Sequence, residues 1–175
     1  MSQNEAKGLK ITGTYKDTIR YKDGRVKDLG WQKNLIVDNF NVLVATLLKN
    51  ESGYDGVKYW VIGEGQLAWD ASGPPTPFAS DNGCVSEIFR KAITPGDITF
   101  IDSGGNVSAT PTNIIQISVI IDYNEANGNW REFSIMGGNA TATKDSGLSL
   151  NKRNHRKIEK TNEIQVERKI RFIIE

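Results

Sequence analysis

From Leu9 the chain alternates, with Leu9, Ile11, Gly13 and Tyr15 set against Lys10, Thr12, Thr14 and Lys16. A period of two predicts a half-buried strand. Ile19 and Tyr21 carry it to Asp23-Gly24, a pair suited to the positive φ angles of a type I′ hairpin turn. The return strand runs through Val26 and Leu29, then places Trp31, Lys33, Leu35 and Val37 opposite Gln32 and Asn34. At Asp38 the period lengthens. Phe40, Leu43, Val44, Leu47 and Leu48 recur at helical spacing, predicting one amphipathic helix over about residues 38–50, with Asp38 as N-cap and Asn50 and Gly53 closing the last turn.

Val57 to Ile62 reads as a short apolar strand. Residues 64–83 then lose all periodicity and hold Pro74, Pro75 and Pro77. A loop of that length is usually functional, and its prolines keep it extended, so it reads as an interaction arm. Strands follow at 84–91, at 98–101 and at 113–123, the last with apolar residues on both faces, as in a central strand. The final strand, 163–174, alternates cleanly except for Arg168, the one break in its apolar face. Gly, Asn and Asp turns separate these segments. The expected fold is mostly β: an antiparallel β-sandwich or jelly-roll-like single domain over 9–175, with one helix and a flexible N-terminal arm at 1–8.

Composition supports that class. The chain has 175 residues, one domain's worth, and its 19 Ile and 10 Val outnumber 9 Leu, favouring stiff β-branched side chains. Lys and Arg total 22 against 21 Asp and Glu, too even a balance to supply the positive field of a nucleic-acid binder. The charges are segregated along the chain, however. Lys152 to Lys160 is basic, whereas Glu51, Asp55, Glu64, Asp70 and Asp81 make the middle loops acidic, so opposite patches on copies or neighbours are expected to meet. Cys84 and His155 are the only residues of their kinds, which excludes an intrachain disulfide and a His-rich metal site. The polar N-terminus predicts a protein that is not Sec-exported, and no stretch is apolar for long enough to span a membrane.

Candidate chemistry is sparse. Gly63-Glu64-Gly65-Gln66-Leu67-Ala68 has the form of a dinucleotide-binding turn, but the Gly73-Pro74-Pro75 that follows cannot continue the helix that a pyrophosphate needs. Glu125 and Glu132 flank Trp130 across an expected hairpin and read as solvated charges rather than a glycosidase pair. Cys84 and His155 are a weak nucleophile–base pairing, since His155 sits in a basic run and reads as a surface residue. No catalytic residue, cofactor or metal site is expected. The run Lys152-Arg153-Asn154-His155-Arg156-Lys157 reads as a solvated loop or a salt-bridging patch. Trp31, Trp60 and Trp130 are expected in the core. Trp69, inside the Pro-rich loop, is expected to make contacts. The candidate partner-contact residues are therefore Trp69, Pro74, Pro75, Arg153, Arg156 and Lys157.

Several segments, in order, resemble tailed-bacteriophage structural proteins of the tail-collar, tail-fibre-like and baseplate-associated β type. They are Asn34-Leu35-Ile36-Val37 leading to Leu43-Val44-Ala45-Thr46-Leu47-Leu48, then Val61-Ile62-Gly63-Glu64-Gly65 and Glu87-Ile88-Phe89-Arg90-Lys91-Ala92-Ile93-Thr94. Glu125-Ala126-Asn127-Gly128 with Arg131-Glu132-Phe133, and Lys160-Thr161 before the last strand, complete the set. The resemblance implies a non-enzymatic virion component, assembled in several copies with other virion structural proteins in the host cytoplasm. Trp69 and Pro74-Pro75 replace the usual small-residue run, and no fibre shaft follows Glu175, which points to a short connector: collar, baseplate, tail or head decoration. A host-surface glycan bound through Trp69 is the alternative partner.

Overall fold

The computed structural model describes residues 9–175, so the expected arm at 1–8 lies outside the described residues. Eleven strands form one open antiparallel ladder within a single domain. Its first half comprises β1 (Ile11–Tyr21), β2 (Val26–Ile36), β5 (Ile98–Ile101), β6 (Val107–Ser108), β7 (Ile114–Ile121) and β11 (Ile164–Ile174). Its second half comprises β3 (Asp55–Gly63), β4 (Glu87–Ala92), β8 (Gly128–Gly138), β9 (Leu148–Ser149) and β10 (Asn151–Lys160). The spatial order is β4-β3-β8-β10-β2-β1-β11-β7-β5-β6, with β9 on β8. The halves are joined where Asn151 and Lys152 of β10 pair with Ile36 and Leu35 of β2, with the Val37 N–H donating to the Leu150 carbonyl beside them.

The ladder folds back on itself at that joint. Tyr15 of β1 and Phe133 of β8 are three strands apart, which in a flat sheet would be about 14 Å. Their ring centroids are 5.0 Å apart, edge to face. Between the halves lies one apolar core that includes Ile19, Trp60, Ile117, Trp130, Ile135, Val166 and Phe172. This is the expected sandwich-like packing of two inner faces. The helix α1 (Asn39–Leu48) follows Asp38 as expected and buries Phe40 and Leu43, and Asn50 at φ 54 closes its end. Leu47 and Leu48, placed in its apolar stripe, are exposed instead.

Three local expectations are corrected. In the first hairpin only Gly24 takes a positive φ, 88°, and its N–H donates to the Tyr21 carbonyl. The turn is thus a helical-type turn closed by glycine, not type I′. In β2 the register against β1 shifts between Lys16 and Thr18. The shift turns Gln32 and Asn34 inward and sends Trp31 out, since a one-residue slip exchanges the faces of a strand. Trp31 is consequently 42% exposed, under the Arg171 guanidinium at 4.3 Å. Finally, the basic run is no solvated loop. It is β10, an interior strand of the ladder, with Lys152, Asn154, His155 and Lys160 buried.

Candidate functional site

Charged side chains that enter the interior arrive in partnered sets, as burial of an unpaired charge demands. Arg168, the break in the apolar face of β11, meets Asp17 of β1 through Nε and Nη2, both at 2.6 Å. Its guanidinium lies 4.0 Å from the Phe133 ring centroid. Glu87 and Arg90 of β4 pair at 2.6 Å, and Arg90 also donates to Ser146 Oγ at 2.9 Å, which holds the 139–147 loop. The third pair, Glu132 of β8 with Lys152 of β10, is fully buried.

Glu132 is the structural centre of the long loop. Its carboxylate accepts the backbone N–H groups of Gly65, Val85 and Ser86 at 3.1, 2.9 and 2.9 Å, while Lys152 Nζ donates to Glu132 and to the Gly83 carbonyl. One buried pair thus fastens both ends of the 64–86 segment to the outer face of the second half. Between those ends, Arg131 donates to Asp70 at 2.7 and 2.8 Å and to the Glu64 carbonyl, and Asn154 donates to the Pro75 carbonyl. Asp38 N–H reaches the Ala79 carbonyl at 2.8 Å. The segment expected to be an extended interaction arm lies as a clamped layer over the sheet. A one-turn helix, α2 (Trp69–Ser72), forms inside it and stops at Gly73.

The dinucleotide-like turn is occupied from within. Gly65 sits at φ 59 with the Trp69 ring against it, so a side chain there would meet the indole, and its amide is already spent on Glu132. Trp69 is therefore buried at 8% exposure rather than displayed. Glu132 is not the solvated charge expected beside Glu125; Glu125 instead pairs with Lys91 at 2.6 Å. Cys84 packs on the Val61, Met136 and Ala140 cluster, and burial pushes its thiol pKa up, with Glu132 adding to the effect. His155 packs near Phe133 in the other direction and is buried, not superficial as expected.

Beyond Lys152, β10 and β2 part. β2 continues with β1 and β10 continues with β8, and a cleft of about 690 Å³ opens between them. Both walls are bulged: β2 at the Lys16/Thr18 register shift, β10 between Asn154 and Ile158. Bulges re-aim side chains and stop strands from pairing, so the gap stays open. Tyr15, Asp17, Ile19 and Tyr21 of β1 form part of its lining, with Arg153, His155, Arg156 and Lys157 on the β10 side and Pro74 from the long loop. A second depression, about 400 Å³, is lined by Trp69, Asp70, Ala71, Gly73 and the same Arg156 and Lys157. Five of the six candidate contact residues thus line two adjoining hollows, and Pro75 is tied beside them through Asn154. The sequence reading missed Tyr15, Asp17 and Tyr21 as members of this site.

His155 Nδ1 lies 2.8 Å from the Arg156 carbonyl, which can only accept, so Nδ1 carries the proton and Nε2 is a bare lone pair in the neutral ring. Burial, reinforced by Arg168, lowers its pKa to about 4. His155 Nε2, Arg153 Nε and Arg168 Nη1 are all buried without a hydrogen-bond partner among the described residues. The segregated charges meet inside the chain: Asp70 of the acidic loop pairs with Arg131 and lies 4.0 Å from Lys157 of the basic run. Opposite patches therefore close on each other within one molecule, in addition to any role between copies. Among the described residues no helix is long and apolar enough to cross a membrane, and no group of three or more His, Cys, Asp or Glu side chains is placed to hold a metal ion. Comparison with protein-family models, curated proteins and solved structures finds no match.

Proposed function

We propose that this protein is a non-enzymatic structural subunit of a phage virion or phage-tail-like particle, a tail, collar or baseplate connector that assembles in several copies. The observation that carries the reading is the clamped 64–86 layer. It presents Leu67, Phe78 and Val85 outward at 78%, 71% and 60% exposure, on backbone already fixed by Glu132, Lys152 and Arg131. Apolar side chains held on rigid backbone lose little entropy on docking, which suits a permanent contact surface. The two carboxylates that a hydrolase would draw on are each held by a lysine, Glu125 by Lys91 and Glu132 by Lys152. A glycan platform on Trp69 has less support, because the ring is turned under Gly65.

Sedimentation velocity over a concentration series tests this. The wild type is expected to form a discrete oligomer, and Leu67→Ser/Phe78→Ser to remain a monomer with an unchanged melting temperature. A wild type that stays monomeric throughout, or a double variant that assembles equally well, overturns the reading.

A further inference from the structure

We propose that the cleft between β2 and β10 is a binding site for a small organic anion: a carboxylate or phosphate ester on an apolar body, with a hydroxyl or amide donor beside the charge. This proposal does not depend on the assembly reading. Its volume, about 690 Å³, is in the range of small-molecule sites. Its lining is divided in character. Tyr15, Ile19, Tyr21, Leu29, Ile158 and Ile164 give an apolar surface for the body of a ligand. Lys27, Arg153, Arg156 and Lys157 supply four positive charges against Asp17 and Glu159; Asp17 is already neutralised by Arg168, and Lys157 lies 4.0 Å from Asp70, which leaves three cations against Glu159. The surplus favours an anion.

Two unsatisfied groups sharpen the class. Arg153 and His155 both line the cleft, and Arg153 Nε and His155 Nε2 have no partner among the described residues. Native interiors rarely leave such groups unpaired, and a ligand is one of the explanations that such a group calls for. Arg153 Nε can only donate, so it calls for an acceptor such as an anionic oxygen; His155 Nε2 can only accept, so it calls for a donor. An acidic group adjacent to a hydroxyl or N–H meets both demands at once. The twin bulges, which hold β2 and β10 apart, keep the site preformed.

Mandelate, phenylacetate, phenyl phosphate and benzyl alcohol are suitable probes, titrated into the full chain and followed by NMR. Saturable shifts are expected at the His155 ring and the Tyr15 and Ile158 amides. Mandelate should bind several-fold more tightly than phenylacetate through its added hydroxyl, and benzyl alcohol at least tenfold more weakly. The relative affinities of phenylacetate and phenyl phosphate assign the anion as carboxylate or phosphate. Arg156 and Lys157 are exposed, so Arg156→Gln/Lys157→Gln should keep its melting temperature while losing about tenfold in affinity for the anions. Shifts that do not saturate, equal binding of benzyl alcohol, or full affinity in the double variant overturn the proposal.

Discussion

The two halves of the ladder treat their outer faces in opposite ways. On the first half, Lys16, Thr18, Glu167 and Lys169 are half-buried and Arg20 is exposed, with no covering layer and only rim ion pairs such as Arg20–Glu167 at 3.4 Å among the described residues. On the second half the 64–86 layer covers β8, and Trp130 to Gly138 are buried in unbroken succession. Each half also contains a buried ion pair, and the pairs differ accordingly. Asp17–Arg168 lies between the sheets, where the guanidinium also packs on the Phe133 ring but ties down no backbone group, and Nη1 is left unpartnered. Glu132–Lys152 lies beneath the layer and satisfies three amides and a carbonyl that have no other partner in the sheet. One buried charge pair thus holds backbone groups of a separate segment, and the other holds none.

Paired replacement is the strongest test of that difference. Glu132→Leu/Lys152→Met removes both charges but leaves three part-buried N–H groups without their acceptor, each worth about 1–3 kcal/mol, so a loss of roughly 3–9 kcal/mol is expected by urea denaturation. The released 64–86 segment should become the first site of limited proteolysis. Asp17→Leu/Arg168→Met orphans nothing, and is expected to lie within about 1 kcal/mol of wild type or to be more stable, whereas Arg168→Met alone strands Asp17 and costs about 3–5 kcal/mol. Equal losses in the two double variants would erase the distinction.

The period-two segments were legible because their inward residues are apolar: β1, β7 and β11 appear where Ile, Val and Tyr alternate. β10 was illegible for the converse reason. Asn151-Lys152-Arg153-Asn154-His155-Arg156-Lys157 has the composition of a surface, and nothing local reveals that Lys152 is neutralised by Glu132, or that Lys160 is held by the carbonyls of Asp122, Tyr123 and Thr161. Those partners are supplied by topology. The same cause hid half of the cleft. Arg153, Arg156 and Lys157 drew notice as a charge cluster, but Tyr15 and Asp17 join them only because the ladder folds between β2 and β10. The outward turn of Trp31 required a register shift that the alternation does not encode.

Acid should act on the interior between the halves before it acts on the outer layer. His155 has its folded pKa lowered to about 4 from 6.5, so on acidification the unfolded chain takes up the proton first. Its contribution is fully present above pH 6.5 and is lost as pH falls toward 4, to a limit of about 3 kcal/mol. The groups around it are Arg168, Arg153 and Asp17, and the first two oppose a further positive charge. Denaturant midpoints at pH 7, 5.5 and 4.5 should fall more steeply for wild type than for His155→Gln. Parallel pH dependences would show that the buried ring is not the source.

The smallest effect concerns the same contact type in and out of water. Arg168 and Arg171 share β11, three residues apart and on opposite faces. Both stack on aromatic rings, Arg168 on Phe133 at 4.0 Å in the core and Arg171 on Trp31 at 4.3 Å at the surface. A guanidinium over an exposed ring is worth about 0.5–1 kcal/mol, because water screens the charge and hydrates it in the alternative state. Trp31→Ala also uncovers little apolar area, as the ring is already 42% exposed. The expected loss is about 1 kcal/mol. A double-mutant cycle with Arg171→Gln should return a coupling of about half that or more. A loss above about 3 kcal/mol would mean that the outer face of the first half has a packed layer of its own, and the contrast between the halves would fail.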